Sequence, residues 1–141
     1  MKQKICTIVG ALGGGIAAAF GGWNAVLLAL LVCMAVDYVT GLMVAGIFHA
    51  SPKSSGGGLE SVAGWKGLAR KFVTLLIVLV ANQLDVLLGA GYIRDAVIIG
   101  FCANECISIL ENAGLMGLPI PKIFRDAIDL LKNASEEQKQ E

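Results

Sequence analysis

Three carboxylates stand where the surrounding sequence is hydrocarbon. They are Asp37 in "LLVCMAVDYVTGLMVAGIF" (30–48), Asp85 in "FVTLLIVLVANQLDVLL" (72–88) and Glu105 in "YIRDAVIIGFCANECISIL" (92–110). A carboxylate inside an apolar helix costs about 2.5–3.5 kcal/mol on insertion scales, so three cost on the order of 8–10 kcal/mol if simply summed. Such groups must be protonated, hydrogen-bonded between helices, or turned toward water. Each has polar company: Thr40 follows Asp37, Asn104 and Ser108 flank Glu105, and Asn82 with Gln83 precedes Asp85. Asp37/Thr40 and Glu105/Ser108 are three residues apart, which draws a narrow polar stripe along each helix. One reading is interhelical hydrogen-bonding glue. The sharper one, favoured by the three together, is a face that lines water once several copies assemble. The sequence offers no Lys or Arg at the depth of Asp37 and Glu105, and only Arg94 is expected within reach of Asp85.

Other chemistry is sparse. Four cysteines (Cys6, Cys33, Cys102, Cys106) form no C-x-x-C pair, and the one histidine is His49. Cys102 and Cys106 share a helix face, but that face offers too few N or S ligands for a metal. Gly56-Gly57-Gly58 has no G-K-[ST] after it, so it does not read as a phosphate cradle. No nucleophile–base pair appears, so no catalytic residue, metal or cofactor is expected.

The elements that must position the carboxylates follow from hydropathy. Charged residues are 16% of the 141-residue chain and apolar residues 56%, a profile of an all-α polytopic membrane protein. Net charge is zero, which removes the electrostatic case for nucleic-acid binding. Four apolar stretches are candidate spans: Ile5–Phe20, Asn24–Phe48, Phe72–Leu88 and about Tyr92–Leu110. With four spans and both termini cytoplasmic, the basic residues Lys2, Lys4, Lys53, Lys66, Arg70, Lys71, Lys122, Arg125, Lys132 and Lys139 all fall inside, leaving Arg94 outside. Residues 1–19 also resemble a signal peptide ending in Ala17-Ala18-Ala19, whose cleavage would leave three spans. By this topology Asp37 and Glu105 lie near mid-membrane, and Asp85 toward the outer end.

The membrane domain is expected over 1–113, with a flexible basic cytoplasmic loop at 49–71. In the first stretch Gly10, Gly14, Ala18 and Gly22 recur every four residues, and Gly41 with Ala45 repeats that spacing in the second. Small residues so spaced let helices approach closely in lipid, either between copies or against the next helix across a Gly21-Gly22 turn. In the loop, Trp65, Lys66, Arg70 and Lys71 suit the membrane interface and its anionic headgroups. Residues 114–141 read as a cytoplasmic segment: Gly114 as a helix stop, Pro119 and Pro121 as a stiff link, a short amphipathic helix from Lys122 to Lys132, then a solvated, disordered tail.

Four motifs in order carry a resemblance: Val36-Asp37-Tyr38-Val39-Thr40-Gly41, Gly64-Trp65-Lys66-Gly67-Leu68, Asn104 through Asn112 ("NECISILEN") and Gly117-Leu118-Pro119-Ile120-Pro121. Together, over roughly residues 30–132, they resemble the toxin-secretion/phage-lysis holin family. The resemblance implies a homo-oligomer in the bacterial cytoplasmic membrane that opens lesions at a set time. These release endolysin to the wall or, in some clostridial relatives, assist export of a large toxin. It implies carboxylates hidden between subunits before opening and facing a watery lumen after it. The alternatives are an ion- or proton-translocating ring subunit and a non-lytic antiholin or scaffold of the same fold.

Overall fold

The computed structural model describes residues 1–137 as five helices: α1 (Lys2–Ala19), α2 (Ala25–Gly46), α3 (Ser61–Leu88), α4 (Ile93–Leu115) and α5 (Lys122–Glu137). The described residues contain no strand. Two helices, α2 and α3, are long and apolar enough to cross a membrane, where four spans were expected. The reason lies in composition. Helix α1 combines Lys2, Gln3 and Lys4 with glycines and alanines, and α4 carries Arg94, Asp95, Glu105 and Glu111.

Local signals fix the ends. Asn24 caps α2, its Oδ1 accepting the Leu27 N–H at 2.9 Å. Gly21 and Gly22 join α1 to α2 with φ of 82° and 88°. Gly21 lies against the Asn82 and Arg94 side chains where a Cβ has no room, so this turn requires glycine for both conformation and space. Helix α4 runs through Gly114 and ends one residue later, correcting the expected stop. Pro121 accepts the N–H of Phe124 at 3.0 Å and sits just before α5 rather than inside it. The proposed solvated tail lies partly outside the described residues.

The core forms where α2, α3 and α4 meet. Leu27, Leu30 and Met34 of α2 close on Val78 of α3 and Ile98 of α4, with Phe101 and Leu75 packed against them. Leu27 and Leu30 meet Ile98, while further along Asp37 and Thr40 meet Asn112, so α2 and α4 run parallel, side by side. The outer surface is also apolar: Leu28, Val32 and Val39 on α2, and Phe72, Val73 and Val80 on α3, are exposed. Exposed apolar faces around a core that contains Asp37, Asn82 and Asn112 suit a lipid surround. Helix α1 packs against α3 only near its C-terminal end and makes no packing with α2, so the glycine stripe does not serve the α1–α2 contact considered from sequence.

Hydrogen bonds close the segment 49–60 on itself. Ser51 N–H donates to Gly57 O at 2.9 Å, and Ser55 donates to Glu60 Oε1 through both its N–H (3.0 Å) and its hydroxyl (2.7 Å). Gly57, at φ 72°, passes so close to the His49 carbonyl that no side chain fits. The Ser55 hydroxyl and N–H hold the Glu60 carboxyl below its usual range. That contribution to loop closure is full above the ordinary carboxylate range and is lost as pH falls through it. Residues 61–71, expected in the loop, are the first turns of α3.

Replacing fully buried Leu30 with Ala should destabilise the helical unit by about 2–5 kcal/mol. Leu28→Ala, on the exposed face, should change stability by no more than about 0.5 kcal/mol. Thermal unfolding followed by circular dichroism in mild detergent reads both.

Candidate functional site

Seven-residue spacing builds the site. Two helical turns bring residue i+7 back to the face of residue i, and Leu30, Asp37 and Val44 fall in one buried line on α2. Ile98, Glu105 and Asn112 repeat that line on α4, and Lys71 precedes buried Val78 by seven on α3. The apolar members make the core; the polar ones meet in the next layer.

There the Lys71 ammonium lies 2.7 Å from Asp37 Oδ2 and also contacts Glu105 Oε2. The side chains are 13%, 12% and 15% exposed, so one cation and two carboxylates share a largely buried junction of three helices. Asn112 Nδ2 completes it, donating to Thr40 Oγ1 at 2.9 Å and Asp37 Oδ1 at 3.3 Å, while Thr40 donates to the Asp37 carbonyl at 3.0 Å. Both Asp37 oxygens are therefore engaged within one chain. The sequence expectation of carboxylates without a basic partner is corrected: Lys71, assigned to the headgroups beside Lys66 and Arg70, turns inward. Asn112 entered the sequence reading only as the last residue of the NECISILEN motif, with no role given to its side chain.

Asp85 answers to a different need. Its oxygens accept the backbone N–H groups of Tyr92 (3.0 Å), Ile93 (2.8 Å) and Arg94 (2.8 Å), so it caps the first turn of α4 across the α3–α4 turn. The Arg94 guanidinium does not reach Asp85 as expected. It donates to the carbonyls of Phe20 (2.9 Å) and Gly21 (3.1 Å) and pairs with Asp95 at 2.7 Å. Buried Asn82 donates to Ala19 O at 2.8 Å, with Gln83 on the same carbonyl at 3.3 Å. Asp85 and Asn82 thus belong to a second polar node, away from Asp37 and Glu105, that holds the end of α1.

A cleft of about 440 Å³ opens over the ion cluster. Asn104 and Ser108 of α4 line it with Asp37 and Glu105, and loop 49–60 forms its outer wall. Gly41 and Ala45 border this cleft, so the small residues keep space open there. Trp65, Lys66 and Arg70 are exposed on α3, Trp65 at 73%. The Cβ positions of Gly10 and Gly14 meet nothing within 4 Å, and Ala18 is exposed. Cys33 and Cys106 face each other across α2 and α4 with sulfurs 4.0 Å apart, and the cysteines are free thiols.

The profile of the bacteriophage holin family matches residues 14–133. The chain belongs to that family. Among relatives, this holin-family chain is 39% identical to a Listeria innocua protein, over 97% of the chain and 96% of the relative. It is 38% identical to a Clostridium perfringens protein over 81% of the chain and 80% of the relative. A protein of Bacillus phage phi105 named a probable holin is 29% identical over 77% and 76%. No solved structure matches it significantly.

Removing the shared cation should hurt more than removing the whole cluster. Lys71→Met leaves two carboxylates facing each other and should destabilise by about 3–5 kcal/mol. The triple variant Asp37→Asn/Lys71→Met/Glu105→Gln should recover most of that loss. Unfolding midpoints in detergent check the order of wild type, triple variant and single variant.

Proposed function

We propose that this chain acts as a phage holin: it accumulates in the bacterial cytoplasmic membrane, oligomerises, and opens lesions that release endolysin or a large toxin. Family membership supports a holin role and suggests a non-enzymatic membrane protein. The observation that carries the mechanism is the Lys71 ammonium shared by Asp37 and Glu105 inside an apolar-faced bundle.

Helices α2, α3 and α4 cross the membrane as one unit. Polar residues leave α4 less apolar than α2 and α3, yet Glu105 and Asn112 are turned to those helices. On this reading Lys53, Lys66 and Arg70 put the α2–α3 connection on the cytoplasmic side with both termini, and α1 crosses to bring Lys2 and Lys4 there. The open face of α1 at Gly10, Gly14 and Ala18 packs against neighbouring copies, because small residues permit close backbone approach in lipid, while Gly22, expected to continue that stripe, lies in the turn beyond the helix.

Before opening, each chain satisfies its own charges, so single subunits and small clusters are quiet. Past a critical density, or when the membrane potential falls, rearrangement parts α3 from α2 and α4. Ammonium and carboxylates separated in this way are stable only in water. Hydrating them in many subunits at once makes opening cooperative and lines the lumen with Asp37, Thr40, Asn104, Glu105 and Ser108.

The test is culture turbidity after induction in a bacterium that also makes a signal-less cytoplasmic endolysin. Abrupt clearing after a delay supports a protein-passing lesion. Continued growth with the protein in the membrane supports the antiholin or scaffold alternative, and slow loss of potential without clearing supports the ion-translocating ring. Asp37→Asn and Glu105→Gln, which leave Lys71 in a neutral pair, should lengthen the delay. Lys71→Met should shorten it at matched membrane levels; unchanged timing in all three would sink the cluster's role.

A further inference from the structure

The cleft above the ion cluster has a second property that the lesion mechanism does not use. Lys66 and Arg70, one turn apart on α3, face it from one side, and Lys53 faces it from the folded loop. Among the described residues none of these three makes an ion pair. The carboxylates nearby are already engaged: Asp37 and Glu105 by Lys71, and Glu60 by Ser55. Beside the cleft, between α2 and α3, runs a mostly apolar groove of about 420 Å³ where Tyr38, Leu42, Leu59, Val62 and Trp65 are joined by Ser61 and by Glu60, whose carboxylate is held by Ser55. Tyr38, Leu42, Leu59, Glu60 and Gly64 border both spaces, so the charged mouth passes directly into the groove.

We propose that this cleft and groove bind one anionic phospholipid, its phosphodiester between Lys53, Lys66 and Arg70 and an acyl chain along Tyr38, Leu42, Leu59 and Trp65. Three unpaired cations converging from two elements suit a phosphate. A free phosphate would use the cations and leave the groove empty, whereas a phospholipid matches both halves. The site rests on the membrane orientation proposed above, which puts it at the cytoplasmic leaflet. A bound lipid there bridges loop 49–60 to α3 across the mouth of the cleft and holds the unopened arrangement together.

Trp65 in the groove is the reporter. The full chain carrying Trp23→Phe is reconstituted in phosphatidylcholine vesicles containing a minor fraction of phosphatidylglycerol, with bromine on the acyl chains of one lipid or the other. Brominated phosphatidylglycerol should quench Trp65 well beyond its mole fraction. Replacing Lys53, Lys66 or Arg70 with Gln should each reduce that enrichment up to about fivefold. Lys2→Gln/Lys4→Gln, remote in sequence from the cleft, should leave it intact. Quenching that follows mole fraction overturns the site. So does enrichment that survives Lys53→Gln and Arg70→Gln together, which would mark a general basic surface. Displacement by inorganic phosphate at matched ionic strength, with equal quenching by both lipids, would assign a soluble anion and overturn the lipid. Vesicle quenching involves no lysis, so its failure leaves the holin reading standing, and failure to lyse cells leaves the quenching result standing.

Discussion

A single ammonium with two carboxylates, set in a bundle whose outside is hydrocarbon, governs this structure. Lys71 belongs to α3, Asp37 to α2 and Glu105 to α4, so the charge balance of each helix depends on the other two. Apolar contact alone would let these helices slide or exchange neighbours in lipid, because lipid tails compete equally well for their surfaces. An ion cluster does not tolerate sliding: a shift of one turn leaves charges with no partner. The junction therefore sets the register of the bundle, and Asn112 of α4 fixes it further by donating to both Asp37 and Thr40 of α2.

Much of this was legible in the residues. The apolar stretches gave the helices, Asp37 and Glu105 stood out against their surroundings, and the four ordered motifs pointed to the family that the profile match then established. What stayed hidden was pairing. Lys71 sits at the end of a basic run, "GWKGLARK", and composition reads such a run as solvated. Its burial is visible only through the seven-residue line shared with Val78, which needs the start of α3 to be known. That start lies at Ser61, eleven residues before the apolar stretch begins at Phe72. Asn112 was missed for a related reason: it follows the apolar stretch and looks like a helix end, yet it stands seven residues beyond Glu105 on the same face.

Hydropathy drew a fourth span at Tyr92–Leu110, but α4 carries Arg94, Asp95, Glu105 and Glu111 and is not apolar enough to count as one. Two of its polar residues, Glu105 and Asn112, are engaged by α3 and α2. Loop 49–60 taught a similar lesson. Serines and glycines read as flexible, but Ser51, Ser55 and Gly57 are the residues that close the loop by hydrogen bonding and tight passage. In both segments the deciding contacts join residues that are distant or whose side chains act on backbone, and local composition carries neither.

The mooring of α1 has a mechanical consequence. Its last carbonyls are held by Asn82, Gln83 and Arg94, while its length from Lys2 to Ile16 is exposed. A rod clamped at one end only is a lever: a load on its Lys2 end is carried to the Ala19 carbonyl and the tightly packed Gly21 turn, not to the junction around Lys71.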